Sequence, residues 1–178
     1  MLDQKQLRSL IIQPVVRAMS LYSQEAEDLL AGTCAAETNG DYLIQKSDLD
    51  PLESMKQNVF ALGIYQMEPR THDDLWKNYL PSHPKIVNDL MQICMFSKKP
   101  NSSMLVYNLY YATAMARVFY LRCPDPIPAT LELQSIYYKT HWNTSEGKST
   151  PQHYVTNYNN FMHVKGSVTK GVKNVQID

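Results

Sequence analysis

The sequence predicts a mainly α-helical single domain, on three observations. Apolar residues recur at spacings of three and four along most of the chain. Prolines and capping residues divide it into segments of helical length. One short apolar run alone departs from the helical period. The chain has 178 residues, 44% hydrophobic and 10% aromatic, enough for one buried core. A charged fraction of 19%, balanced at 17 basic against 17 acidic residues, argues against disorder.

The elements follow in order. Leu7, Leu10, Ile11, Val15 and Met19 make the buried stripe of a first helix, which Pro14 should kink or interrupt. From Ser23 a second stripe runs through Ala26, Leu30, Thr33, Cys34 and Glu37, and Asn39-Gly40 then supplies a stop. Residues 41–58 are polar and irregular and read as a long loop with one turn of helix. Phe60 to Met67, FALGIYQM, is the non-helical run; Gly63 inside it marks extended or tightly turned backbone close to another group. After Pro69, Thr71 is expected to cap a helix reaching Leu80, with Asp73 and Asp74 in its first turn. Pro84 opens another, ending near Cys94.

Asn101 to Arg122 reads as the longest helix and the centre of the bundle, with Leu105, Leu109, Ala112, Ala116 and Phe119 or Tyr120 on one face. Pro124-Asp125-Pro126-Ile127-Pro128 forms a rigid connector. Thr130 caps a helix to about His141, and Thr150-Pro151 starts the last, to about His163. The domain is drawn over 1–165, with 166–178 as an aperiodic tail.

Composition sets several function classes aside. Zero formal net charge, with no basic block beyond pairs such as Lys98-Lys99, argues against nucleic acid as a partner. The apolar stretch Leu10-Ile11-Ile12 is cut short by Gln13 and Pro14, too soon for a signal peptide or a membrane span. Synthesis in the cytoplasm as a soluble protein is the expectation. Cys34, Cys94 and Cys123 share no close spacing and read as reduced packing thiols. His72 with Asp73 and Asp74, or His141, His153 and His163, offer imperfect metal sets without an H-E-x-x-H pattern, so neither a metal nor another cofactor is expected. With 6 glycines and no G-x-G, no phosphate loop is present.

Glu37 is the candidate with chemistry. It lies on the same helical stripe as Ala26, Leu30 and Thr33, so its carboxyl points inward at the helix C-terminus. Burial and the negative helix end both disfavour the carboxylate and raise its pKa. A carboxyl group protonated near neutrality can serve as a general acid towards a glycosidic oxygen. The plainer alternative is a carboxylate that reaches water or pairs with an arginine.

Glu37-Thr38 is followed by Gly63-Ile64-Tyr65-Gln66-Met67-Glu68-Pro69-Arg70-Thr71. This combination resembles the lysozyme-like superfamily of peptidoglycan-cleaving enzymes, especially its lytic transglycosylase and phage lysozyme-like branch. That family sets a catalytic Glu at a helix end, next to a hydroxyl residue, ahead of a motif G-L-x-Q-(I/M)-x-P-x-T. The strings GIYQMEPRTHDDLW, FYLRCPDPIP and YYKTHWNTSEGKST look like those of small lysozyme-like proteins of tailed bacteriophages. The resemblance implies a lysozyme-like fold, α+β with a very small β element, and cleavage of the β-1,4 bond between N-acetylmuramic acid and N-acetylglucosamine.

Residue by residue, the resemblance makes Glu37 the acid, with Thr38 beside it. It lets Gly63 admit the sugar chain, sets Tyr65 and Gln66 in the cleft wall, and has Thr71 cap the next helix. Tyr137, Tyr138, Trp142, Asn143 and Gly147 are loose equivalents of a late Tyr-Asn-x-Gly stretch, among which Tyr138, Trp142 and Asn143 would bind sugar. The partners implied are glycan strands of peptidoglycan and other virion or tail proteins, the setting a phage particle acting at the cell wall. A hydrolase wants a second carboxylate roughly 5 to 9.5 Å from the first, for which Asp41, Asp48, Asp50 and Glu53 are nearest in sequence. A lytic transglycosylase needs none, because the muramic acid 6-hydroxyl closes on the anomeric carbon. The rival class is a structural tail, baseplate or internal virion protein that keeps the fold with little activity.

Overall fold

The computed structural model describes residues 2–144 and 147–163. The tail from 166 to 178 lies outside the described residues, as does the side chain of His163.

Helix α1 runs over 4–18, started by Asp3, whose carboxylate accepts the N–H of Gln6 at 3.0 Å. Pro14 does not end it. The ladder widens instead into i→i+5 turns over Leu7–Ile12, the N–H of Gln13 reaching the carbonyl of Arg8. Such turns add residues per revolution and shift the phase of everything after them. Ile12, Val15, Val16 and Met19 therefore face the core, while Leu10, expected on that face, is 58% exposed.

Helix α2, Gln24–Glu37, begins where Ser23 caps Ala26 at 3.1 Å and ends where Asn39 (φ 54°) and Gly40 (φ 67°) turn left-handed. Residues 26–35, Asp28 excepted, are buried. Small side chains on several sides let four helices close around it, so α2 is as central as the helix expected to hold that place. A thirteen-residue loop, 38–50, leads to the short helix α3, Pro51–Lys56, capped by Asp50.

The 60–67 segment forms two single antiparallel bridges, Ile44 with Leu62 and Leu62 with Met67, the small β element among the described residues. Helix α4 starts at Pro69, preceded by Glu68 at the cap position, and continues to 79. Thr71 is thus inside the first turn rather than capping it, and Asp73 and Asp74 fall beyond that turn. Proline at the first helical position sets the start two residues early. Helix α5 spans Pro84–Ile93.

The long helix expected from Asn101 is two. α6, Met104–Tyr107, stops at Asn108, whose extended backbone and side chain, accepting the N–H of Tyr111 at 3.0 Å, start α7, Leu109–Arg122. Asparagine competes with the helix by bonding backbone locally. α8 covers Leu131–Tyr138 and continues in wide turns to Asn143; α9 is Pro151–His163. α2 and α7 form the centre of one contiguous core, with α1, α8 and α9 around α2. Arg8 ties three of these together, donating to Glu27 (3.0 Å), Asp28 (2.7 Å) and the Tyr158 hydroxyl (2.8 Å). No described helix is long and apolar enough to cross a membrane.

Candidate active site

Glu37 is the last residue of α2 and opens into a cleft of about 740 Å³. The helix end is fixed from two sides. The Thr38 hydroxyl donates to the carbonyl of Ile64 at 2.8 Å, and the Tyr42 hydroxyl donates to that of Glu37 at 2.6 Å. The Tyr138 hydroxyl donates to Glu37 Oε1 at 2.6 Å, and the Trp142 side chain is its second hydrogen-bond partner. Among the described residues no Lys, Arg or His makes an ion pair with it.

Burial lifts the Glu37 pKa from 4.5 to about 7, against the two hydrogen bonds, which favour the carboxylate and pull it down. A carboxyl so placed is protonated in part at neutral pH and can give and retake a proton there. Tyr138→Phe removes one of the bonds that favour ionisation. The variant is expected to move the Glu37 titration up by about one pH unit, read by NMR of the carboxyl carbon; no movement would detach the hydroxyl from the titration.

The other expected site residues divide. Gln66, Trp142 and Asn143 line the cleft with Glu37. Gln66 holds a left-handed backbone (φ 50°) and its side-chain amide donates to the carbonyl of Gly63 at 2.8 Å. Trp142 packs edge-on against Phe119, ring centres 4.7 Å apart. Lys139 donates to Asn143 Oδ1 at 2.8 Å and to the Gly147 carbonyl at 2.7 Å, closing the loop after α8 onto that wall.

Thr38, Gly63, Tyr65 and Tyr138 do not line it. Thr38 is a buried clamp. Tyr65, set in the cleft wall by the resemblance, is 1% exposed and turns inward from the tight turn at 63–66 to hydrogen-bond Thr113 at 3.2 Å. Gly63 is approached by the backbone carbonyl of Leu105, not by an open groove. Tyr138 is buried behind Glu37 and acts by holding it.

Of the second carboxylates considered, none lines the cleft. Asp50 caps α3, Glu53 pairs with Lys56 at 2.6 Å, Asp41 takes part in the turn after Thr38, and Asp48 is exposed. The carboxylate that does line it is Glu68, ion-paired with Arg70. Sequence reading passed over it although it stands two residues after Gln66, within the same motif. Arg122, which also lines the cleft, carried no signal, since it ends a helix otherwise read as core.

No family model, curated protein or solved structure matches this chain. The site is therefore read from its own chemistry. Among the described residues no three His, Cys, Asp or Glu side chains converge as a metal set would. Buried His72 is engaged instead by Asp73 at 2.8 Å and the Tyr111 hydroxyl at 2.6 Å. Burial pushes the Cys34 thiol up to about 12, which holds it protonated and unreactive one turn from Glu37.

Proposed function

We propose that this protein is a bacteriophage peptidoglycan-cleaving enzyme of lysozyme-like fold, associated with the virion or tail. It breaks the β-1,4 bond between N-acetylmuramic acid and N-acetylglucosamine, with Glu37 as general acid and then base. The observation that carries the reading is the Glu37 carboxyl, half-buried, free of any ion pair among the described residues and facing a cleft that Gln66 also lines. The order of Glu37-Thr38 and the GIYQMEPRT string supports it independently.

In the first step the protonated Glu37 gives its proton to the glycosidic oxygen, the C–O bond breaks, and the sugar carries oxocarbenium character. The carboxylate left behind then takes a proton from the incoming oxygen. The four carboxylates nearest in sequence lie outside the cleft and Glu68 within it is ion-paired with Arg70, which favours the substrate's own 6-hydroxyl as that oxygen, and the products should then carry 1,6-anhydromuramoyl ends. Mass spectrometry of a peptidoglycan digest checks this; reducing ends would mean that water attacks, with Glu68 the carboxylate to examine.

Zymography on peptidoglycan with wild type and Glu37→Gln tests the reaction itself. A clear band for the wild type, lost in the variant, is expected. A band that survives the substitution removes Glu37 from the chemistry. No band from the folded wild type favours the structural virion protein.

A further inference from the structure

Two arginines line the cleft, each with a carboxylate partner. Arg70 pairs with Glu68, which lines the cleft beside it, and Arg122 pairs with Asp74, which does not line it. Arg122 is therefore an arginine of the cleft whose carboxylate partner stands outside the lining, in a concave site where low-dielectric walls concentrate the field.

Arg122 is held in place. It ends α7, its Nη1 donates to Asp74 on α4, and its guanidinium carbon lies 5.2 Å from the centre of the Phe119 ring. Its side chain remains 37% exposed. A guanidinium offers five N–H donors in a planar fork, so a carboxylate at one nitrogen leaves an edge for another. Phe119 also packs on Trp142, and Trp142 bonds Glu37. The cation therefore stands two aromatic rings from the acid, displaced from the bond to be broken and suited to a substituent beside it.

We propose that Arg122 binds a free carboxylate of the peptide stem carried on the muramic acid, so that the cleft prefers glycan with ionised stems. This rests on the glycan-cleaving reading. In intact peptidoglycan the lactyl carboxyl is consumed in the amide to the stem and the sugars are uncharged. The negative charge that a cationic wall can meet lies on the stem.

The test measures binding in a Glu37→Gln background, so that the ligand is not consumed. The probes are soluble stem-bearing glycan oligomers and the same oligomers with their stem carboxylates converted to amides. The ionised form should bind about tenfold more tightly at low salt, the value of one charge-assisted hydrogen bond. The gap should narrow at high salt and close on adding Arg122→Gln. Asp74→Asn removes the neighbouring charge but keeps the guanidinium, and should preserve the gap. Equal binding of both probes overturns the proposal. So does a gap that survives Arg122→Gln, or one that Asp74→Asn closes as completely, since the pair would then serve only to join α4 and α7. Cleavage by the wild type is scored separately. Cleavage without the gap removes the stem contact and keeps the reaction, whereas the gap without cleavage removes the reaction and keeps the contact.

Discussion

Glu37→Gln is expected to lower glycan cleavage by about 10²–10⁴-fold, the usual contribution of a positioned general acid, and at the same time to make the protein more stable above neutral pH. The two effects have one cause. The folded state holds the Glu37 proton up to about pH 7, whereas an unfolded chain releases it near 4.5. Because the folded form binds the proton more tightly, this group's contribution to stability is full below pH 4.5 and is lost as pH rises through 7. Above that, the wild type keeps a desolvated carboxylate, at a penalty of about 3 kcal/mol. Glutamine carries no charge and retains an oxygen for the Tyr138 hydroxyl. Urea denaturation of both proteins at pH 5 and pH 9 should show the variant gaining about 1–3 kcal/mol on the wild type between the two. A difference that stays constant with pH would mean that Glu37 ionises as an ordinary surface carboxylate, and the acid role would go with it. In an active wild type, activity should fall on the alkaline side above about pH 7, as the proton to be donated is lost.

How far the sequence carried this site can be followed residue by residue. α2 was legible because its information is local: a serine cap, a run of small and apolar residues and an Asn-Gly stop all lie within the element. Glu37 was legible for the same reason, as a member of the stripe that the helix buries. Tyr138 was not, because Tyr137 and Tyr138 are indistinguishable as neighbours. Only the rotation of α8 decides that the second reaches Glu37 while the first donates to the carbonyl of Asp125 at 3.0 Å. The phase error at Leu10 has a different origin. Wide turns satisfy the backbone as well as regular ones and leave no mark in the spacing of apolar residues. Arg8 and Glu27 were hidden by type, since charged residues are read as solvated and here meet each other across two helices almost out of solvent. Gly63 lies between these cases. Its sequence context announced a close approach but could not name the approaching group.

That group can be tested by adding one methyl. Gly63 has φ +74°, and a Cβ there would sit 2.4 Å from the carbonyl oxygen of Leu105 and 3.1 Å from its carbon. Alanine disfavours the left-handed region by roughly 1–2 kcal/mol, and the overlap is with backbone, which cannot rotate away as a side chain can. Gly63→Ala is therefore expected to destabilise the protein by roughly 3–5 kcal/mol, lowering Tm by about 10 °C. Gly40→Ala is the control. Gly40 also has positive φ, +67°, but its Cβ would meet Leu2 no closer than 3.1 Å, so about 1–2 kcal/mol is expected. The site should feel the first change and not the second, since the Gly63 carbonyl accepts from both the backbone and side-chain nitrogens of Gln66, at 3.0 and 2.8 Å. Calorimetry of the two variants separates a packing role from a ligand role. If Gly63→Ala melts with the wild type yet no longer binds glycan, the methyl is blocking a sugar. If it melts well below the Gly40 variant, Leu105 is what the glycine admits.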